Sequence, residues 1–529
     1  MSEKRYINCD LAKVTVPASG NRKERVKVLA WGDEVEYLGE TDKQVEILMG
    51  TANELKDGSV QPVQIKGFIK KKKKSAKVTT ITNQVLKVDF VDVQQGDGSV
   101  VETPEGDVIF IDGGELQLFA RYLAGRYTKT SLDAPKEISC IIVTHGDADH
   151  FLGLPKIQES ETNSTAWKRL FIKPLNVFHN GLVKRPGTVN KKATPDKEML
   201  GETKEIVSAD TGKKITVITE LVDDLLNVDP AKMNQPFTAW RKVLEEYNKR
   251  SPINMRRLKK GDDAAFNFLK DKKLKIQVLG PLTTKNKTGT VEGLKFLGEP
   301  PKGVRIGDEV MSLGDENFKG FSASHTINGH SVILRLNYGK FNFLFAGDLN
   351  DEAERALTAA HNKKEIDLRS EVLKVPHHGS ADFSSAFLKA VAPGISVISS
   401  GDENEQKEYI HPRANILGAL GKYSRTDEPL IFITELAAFF QSEGWVAPDY
   451  HKLTQKGADA IKKKVDVVNP ETRQDFFSFS RSAFGIIKVR TDGERLLVYT
   501  NSAKQEMKEF YSFTIKTDGT LEPIDADIC

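Results

Sequence analysis

Two histidines and two aspartates lie within one six-residue segment of this chain. The segment is His145-Gly146-Asp147-Ala148-Asp149-His150, and it follows the apolar run 141–143. Side chains at the carboxyl end of such a strand-like run lie where α/β proteins place ligand sites. Carboxylates at close range repel one another unless positive charge lies between them. We therefore interpret the segment as part of a divalent-metal site. A solvent-exposed acidic turn is the simpler alternative, but it leaves the flanking apolar residues 151–154 unexplained.

Five further segments follow a known pattern in chain order. They are 90–97 (FVDVQQGD), 109–114 (IFIDGG), 331–336 (SVILRL), 343–348 (FLFAGD) and 373–380 (LKVPHHGS). Together with the first segment they resemble the metallo-β-lactamase superfamily, whose hallmark is H-x-H-x-D-H. Asp147 takes the place of the second histidine, and this H-x-D-x-D-H variant resembles the hydrolase domain of ComEC-type competence (DNA-uptake) proteins. The resemblance covers about residues 85–433 and does not include the membrane channel of those proteins.

The resemblance implies metal ligands by motif position. These would serve two ions bridged by Asp348, with His145 and Asp147 at the first ion and Asp149, His150 and His378 at the second. His377 is the alternative to His378, because the doubled histidine leaves the register open.

Three more residues enter through the same resemblance. Asp112 would orient a ligand imidazole through a hydrogen bond, and together with Asp149 it is the expected catalytic carboxylate. His330 is a candidate for the third motif, with an ordinary loop histidine as an equal alternative. His411 is a candidate for the rim of the site.

The resemblance also implies an activity and a cofactor. Two divalent ions, manganese or zinc, would activate a hydroxide that cleaves a phosphodiester of nucleic acid. The oxygen ligand Asp147 in place of an imidazole shifts the preference from zinc towards manganese or magnesium and leaves zinc open. The alternatives are a hydrolase of small phosphodiesters or other esters, and a metal-containing binding or regulatory protein without catalysis.

The elements that must position these residues are strands with helices between them, which predicts a layered α/β domain over residues 85–529. With the resemblance, this is a metallo-β-lactamase four-layer αβ/βα sandwich. The strand candidates are 85–93, 108–111, 138–143, 170–172, 274–279, 331–336, 341–345, 372–375, 395–398, 484–489, 496–500 and 510–515. The strand pattern fades between about 159 and 273, so we interpret 159–273 as a long insertion, in which 237–250 is predicted to be helical.

The first seventy or so residues show a different pattern of apolar and polar residues. Apolar and polar residues alternate at 26–29, 33–38, 44–48 and 63–69, which predicts short strands. Residues 1–69 resemble a small bacterial barrel of the Src-homology-three type, which would bind a protein or ligand; a structural cap is the alternative. Residues 70–84, with a run of lysines from Lys70 to Lys74, are predicted to be a basic linker rather than a nucleic-acid contact.

Composition limits the remaining possibilities. The 529 residues include 77 Lys+Arg and 74 Asp+Glu, and 39% are apolar, which excludes wholesale disorder and a wholly basic nucleic-acid coat. There is no apolar run of the roughly 20 residues that a membrane span needs, and the start lacks the pattern of a secretory signal. Three cysteines (Cys9, Cys140 and Cys529) are too few for a disulfide framework, so we expect reduced cysteines and a cytoplasmic protein.

Basic residues in the predicted insertion are candidates for contact with a phosphate backbone. They are Lys184, Arg185, Arg256 and Arg257. A solvated surface is the alternative reading of such charge clusters.

Overall fold

The computed structural model describes residues 3–18, 24–54, 60–72, 77–298, 320–401, 411–426, 429–435, 485–501, 509–517 and 519–529, without the side chains of 51–54, 60–62 and 501. Within these ranges an N-terminal sheet precedes an α/β sandwich. Among the described residues, none of the helices combines the length and the apolar character that crossing a bilayer requires.

The described part of the N-terminal region forms one antiparallel sheet in the order β3-β2-β6-β5-β4-β1-β7. Its strands are β1 (Glu3–Ile7), β2 (Leu11–Val16), β3 (Arg25–Ala30), β4 (Glu34–Glu40), β5 (Gln44–Glu54), β6 (Val60–Lys70) and β7 (Thr79–Thr80). Alternation along these strands buries residues such as Val14, Val45 and Ile47 on one face. The four strands predicted here are confirmed, whereas β1, β2 and β7 were not predicted. The Src-homology-three likeness stays a prediction, and Lys73 and Lys74 lie outside the described residues.

A disulfide joins this N-terminal sheet to the end of the chain. Cys9 and Cys529 are bonded across 520 residues of sequence, and Leu11 pairs with Ile528 beside them. The expectation that all cysteines are reduced is therefore wrong for this pair. Cysteine number and spacing gave no signal, because only the folded chain brings its two ends together.

The first part of the sandwich contains the strands and helices that carry the histidine segment. They are β8 (Leu86–Phe90), β9 (Gly98–Glu102), β10 (Val108–Asp112), α1 (Leu118–Arg126), β11 (Lys136–Ile138), β12 (Cys140–Ile142), α2 (Ala148–Phe151), α3 (Pro155–Ser160), β13 (Ile172–Pro174), β14 (Asn176–His179), β15 (Thr188–Val189), β16 (Lys192–Ala193), α4 (Asp196–Met199), β17 (Thr203–Val207), β18 (Lys214–Ile218), α5 (Gln235–Arg250) and β19 (Asn254–Arg257).

The second part carries the later motifs. Its elements are β20 (Leu274–Gly280), β21 (Thr284–Lys285), β22 (Glu292–Lys295), α6 (Ala323–Gly329), β23 (Ile333–Tyr338), β24 (Phe341–Phe345), α7 (Asp351–Asn362), β25 (Val372–Lys374), α8 (Ser385–Val391), β26 (Ile395–Ile398), α9 (Ala414–Tyr423), β27 (Leu430–Ile433), β28 (Ile486–Thr491), β29 (Arg495–Asn501), β30 (Phe510–Ile515) and β31 (Leu521–Ile524).

Two sheets pack face to face and are covered by helices on their outer faces. The order of the large sheet is β19-β14-β12-β10-β9-β8-β28-β29-β30-β31, and that of the second sheet is β20-β23-β24-β25-β26-β27. Side chains from both sheets, among them Ile109, Ile142 and Phe343, share one buried core. Helices α1, α3 and α5 cover the outer face of the large sheet, and α7, α8 and α9 cover the second sheet. This is the predicted four-layer αβ/βα sandwich, which follows from strands that are apolar on both faces.

The range 159–273 contains strands that the sequence did not indicate. β14 pairs in parallel with β12, and β19 pairs with β14, so both extend the large sheet. β17 and β18 form a separate small sheet with β21 and β22, and α5 confirms the predicted helix. Part of the range therefore belongs to the sandwich, while the domain boundaries themselves stay predictions.

Candidate metal centre

The chemistry-bearing residues meet because parallel strands end at one edge of each sheet. β10 and β12 pair in parallel in the large sheet, and β24 and β25 pair in parallel in the second sheet. Asp112 ends β10, and the histidine segment follows β12. Asp348 follows β24, and His378 follows β25. The carboxyl ends of these four strands therefore bring residues from distant parts of the chain to one place.

The side chains that converge there are two overlapping sets of imidazoles and carboxylates. Ligand atoms of His145, His150 and Asp348 lie within 4.8 Å of one another, as do those of Asp149, His150 and His378. Asp348 lies between them: its Oδ1 is 3.2 Å from His150 Nε2, and its Oδ2 is 3.2 Å from His378 Nε2. His378 Nε2 is also 3.4 Å from Asp149 Oδ2.

Hydrogen bonds on the far side of each ring fix how the imidazoles face this centre. Asp112 accepts from His150 Nδ1 at 2.9 Å and from the Thr144 hydroxyl at 2.7 Å. Because that hydroxyl donates to Asp112, its oxygen is left to accept from His145 Nδ1 at 3.2 Å. The Ser399 carbonyl accepts from His378 Nδ1 at 3.0 Å. All three Nδ1 atoms thus carry the proton, and each Nε2 lone pair faces inward.

The inward atoms have no hydrogen-bond partner. His145 Nε2, His150 Nε2, His378 Nε2 and Asp348 Oδ1 are buried, and none forms a hydrogen bond with any residue in the described part of the chain. Buried polar atoms are normally satisfied, and unpaired ones point to a missing partner. Three imidazole nitrogens around carboxylate oxygens are the donors that divalent zinc or manganese takes. The residues present therefore fit a divalent cation.

The charges of this cluster are in conflict without such a cation. Burial disfavours the imidazolium form of His150, but the Asp348 and Asp112 carboxylates outweigh burial and raise the pKa of His150 well above its usual range. The same opposition between burial and Asp348 raises the pKa of His378. Burial and the neighbouring His150 lower the pKa of His145. The carboxylates thus favour positive charge beside His150 and His378, and a cation held by their Nε2 atoms would supply it.

Asp97 and Lys374 belong to the site but were not predicted as site residues. Asp97 is buried, with Oδ1 3.3 Å from His378 Nδ1, and it forms an ion pair with the buried Lys374. Burial raises the pKa of Asp97, but Lys374 and His378 reverse the effect and lower it. The signal for Asp97 was present, because it ends the 90–97 segment that carried part of the resemblance.

Two backbone features bring the loops this close. Gly96 has φ +100°, and a Cβ there would lie 1.8 Å from the Asp149 carbonyl oxygen, so only glycine fits. His377 and His378 have φ values of 48° and 52°, which is unusual for residues with a side chain. Such strain is common at functional sites, and here it turns His378 towards Asp348.

The structure places the two members of the doubled histidine differently. His378 contacts Asp348 and Asp149, whereas His377 is in none of the candidate ligand groups found among the described residues. His411 lies beside both, with its ring centre 6.4 Å from that of His378. Burial and the two neighbouring histidines lower the pKa of His411 to about 3.

Two predicted ligands, Asp147 and His330, are in none of the candidate ligand groups found among the described residues. Asp147 Oδ1 accepts from Lys184 Nζ at 2.9 Å, and the Asn328 amide nitrogen is 2.9 Å from Asp147 Oδ2 in the orientation that satisfies the amide. His330 Nε2 is 2.7 Å from the Lys295 carbonyl oxygen, and burial lowers its pKa to about 4. Both side chains already have partners from the chain, which the local motif could not indicate.

The basic residues predicted to contact substrate are all paired with carboxylates. The pairs are Lys184 with Asp147, Arg185 with Glu220, Arg256 with Asp262 and Arg257 with Asp223. Arg256 and Arg257 lie on β19, at the edge of the large sheet. Their positive charge is therefore partly balanced within the protein.

Comparison with known proteins agrees with this architecture. Residues 91–217 match the family described as the metallo-β-lactamase superfamily. The matched range includes the histidine segment but not Asp348 or His378. A Neisseria gonorrhoeae protein, competence protein ComA, is 39% identical over 102 residues, which are 19% of this chain and 14% of that protein. The chain thus spans about a seventh of the length of this relative. It contains a metallo-β-lactamase superfamily domain with candidate metal-ligand groups, and that superfamily consists mainly of hydrolases.

Proposed function

We propose that this metallo-β-lactamase superfamily domain is a metal-dependent phosphodiesterase that cleaves nucleic acid. The observation that carries the proposal is the pair of inward Nε2 atoms of His150 and His378, each 3.2 Å from Asp348, buried and without hydrogen-bond partners among the described residues. A hydrolase that uses only protein groups has no need for such nitrogens around one carboxylate. A bound divalent cation supplies Lewis-acid polarisation of the phosphoryl group and lowers the pKa of water.

The residues of the chain have separate tasks in this proposal. His150, His378, Asp149 and Asp348 would hold the cation. Asp112 keeps the proton of His150 on Nδ1, at 2.9 Å, so that Nε2 stays available. Asp149 accepts from the Gln95 amide at 3.2 Å, which helps to fix this carboxylate, whose Oδ2 is 3.4 Å from His378 Nε2. These hydrogen bonds would position the ligands before substrate binds, and such positioning is a large part of what a protein contributes to catalysis.

Nucleic acid is favoured as the substrate by the resemblance to competence proteins, which take up DNA. The fold alone does not select a substrate, because it hosts many hydrolyses. A partner for the N-terminal sheet and a cytoplasmic location stay predictions.

A small phosphodiester is the second candidate, and one observation favours it. The four basic residues proposed to contact a nucleic-acid backbone are all engaged by carboxylates of the protein. A long polyanion gains most of its affinity from cationic groups that are available to its phosphates. A small ester needs fewer such contacts.

The test is cleavage of single- and double-stranded DNA and of RNA by the purified protein with manganese or zinc. We expect strand cleavage by the wild type and its loss in Asp149→Asn, which preserves shape but removes the charge beside His378. Asp210→Asn is the matched control, because Asp210 is exposed in the turn between β17 and β18. Absence of any strand cleavage, or equal cleavage by Asp149→Asn, refutes the nuclease.

The alternatives give different outcomes in companion measurements. Turnover of bis-p-nitrophenyl phosphate that DNA does not inhibit would support the small phosphodiester. A binding or regulatory protein would hold metal without turning over either substrate. Metal content of the purified protein, measured by mass spectrometry, separates a metal-free protein from both.

A further inference from the structure

The two halves of the candidate metal centre are not equivalent. By motif position, the first half consists of His145, Asp147 and the shared Asp348, and the second half adds Asp149, His150 and His378 to Asp348. In the second half, ligand atoms of Asp149, His150 and His378 lie within 4.8 Å of one another, and His150 Nε2, His378 Nε2 and Asp348 Oδ1 have no hydrogen-bond partner among the described residues. In the first half a cation of the protein itself is already present.

That cation is the ammonium group of Lys184. Its Nζ lies 2.9 Å from Asp147 Oδ1, and the two side chains are only 24% and 22% exposed. The other carboxylate oxygen faces the Asn328 amide nitrogen at 2.9 Å. Both oxygens of Asp147 therefore have nitrogen donors from the chain. An ion in this half would have to displace Lys184 to gain Asp147 as a ligand.

The fold holds the main chain of Lys184 at a position from which its side chain reaches Asp147. Lys184 lies beyond the end of β14, and its backbone carbonyl accepts from the backbone nitrogen of Asn234, which caps α5, at 2.9 Å. The next residue, Arg185, is held by a backbone hydrogen bond to Met199 at 2.8 Å. These hydrogen bonds hold the main chain of Lys184 where its ammonium group reaches Asp147.

His145 is the one donor of its candidate ligand group that the second half does not share, because His150 and Asp348 belong to both halves. His145 Nε2 is 4.0 Å from Asp348 Oδ2, and Asp348 is shared with the second half. His330, the candidate third ligand, is directed to the Lys295 carbonyl instead. A divalent ion usually takes at least three protein ligands, and here it would also meet the like charge of Lys184.

We propose that the centre binds one divalent cation, through Asp149, His150, His378 and Asp348, and that Lys184 supplies the positive charge in the place of a second ion. This rests on the proposed metal-dependent function but changes the number of ions from the two that the family resemblance implies. It also gives Lys184 a role as a fixed charge next to Asp147 rather than as a surface contact for substrate.

The experiment measures metal binding, not activity. Wild-type protein and Lys184→Met are stripped with chelator, loaded with manganese or zinc, dialysed and measured for ions per chain, and affinities are obtained by calorimetry. We expect one ion per wild-type chain. Lys184→Met removes the charge but keeps the aliphatic stem, so we expect a second ion to bind more tightly than in the wild type by a factor on the order of ten or more. Lys214→Met is the matched control, because the Lys214 side chain is 70% exposed.

Two ligand variants test which half holds the ion. His378→Ala should lose the single ion, whereas His145→Ala should retain it. Lys184→Arg keeps the positive charge and should still bind one ion. It can be measured in place of Lys184→Met if that variant does not fold. Two equally tight ions in the wild type, or one ion in folded Lys184→Met, overturn this proposal and leave the hydrolase intact. No ion in the wild type refutes both.

Discussion

Replacing Asp112 by asparagine should weaken metal binding without unfolding the protein. The side chain is buried and accepts from Thr144 N at 2.8 Å, from Thr144 Oγ1 at 2.7 Å and from His150 Nδ1 at 2.9 Å. Asparagine has the same shape but only one acceptor oxygen. If that oxygen still accepts the hydrogen bond from the Thr144 backbone nitrogen, the new amide NH₂ faces His150 Nδ1. Two hydrogen-bond donors then face each other.

The imidazole can relieve this contact by moving its proton from Nδ1 to Nε2. The proton then lies on the atom that faces the centre, where a cation needs a lone pair. Loss of such a supporting carboxylate costs about 10–100-fold in metal affinity. At about 1.4 kcal/mol for each factor of ten, this is about 1.4–2.8 kcal/mol of binding free energy.

The assay is a competition titration of manganese or zinc against a chromophoric chelator. Wild type, Asp112→Asn and the exposed control Asp210→Asn are compared, and circular dichroism checks that each is folded. The control should bind like the wild type. Unchanged metal affinity in folded Asp112→Asn would show that Asp112 does not set the tautomer of His150 and would refute its supporting role at the centre.

Three further predictions follow from the ionised and covalent groups. The neighbouring carboxylates raise the pKa values of His150 and His378, whereas a cation binds only an unprotonated Nε2. Metal binding should therefore release protons and strengthen as pH rises, which calorimetry in buffers of different ionisation enthalpy would detect. No proton release would contradict this. Burial raises the pKa of Glu102, but Arg126 outweighs it and the pKa falls to about 2. Ionised Glu102 therefore stabilises the folded protein by about 3 kcal/mol above about pH 4.5, and this contribution declines towards pH 2. In urea titrations, the difference in unfolding free energy between wild type and Glu102→Gln should shrink from pH 6 to pH 3. A constant difference would refute this. Cys529→Ser removes the Cys9–Cys529 disulfide and should lower the free energy of unfolding by about 2–5 kcal/mol. It should also abolish the effect of reductant on Tm. A wild-type Tm that does not change with reductant would exclude a stabilising disulfide.

The sequence by itself predicted many strands of the sandwich and most of the candidate ligands at its centre. Apolar β-branched runs such as 108–111 and 341–345 predict buried strands because two-sided burial requires continuous apolar residues. The segment from His145 to His150 and the residue Asp348 indicate a metal centre because their chemistry has few other uses. These signals are local, so they can be read without knowing which strands are neighbours.

Only the tertiary structure decided how those residues meet. It selects His378 over His377, brings Asp97 and Lys374 into the site, and turns His330 towards Lys295. The pairing of Asp147 with Lys184 and the bond between the two ends of the chain are equally invisible in the sequence. Each depends on segments separated by tens to hundreds of residues, whose distance is set by how the two sheets pack rather than by any periodicity along the chain. The motif therefore supplies candidate ligands, while packing decides which of them lie together.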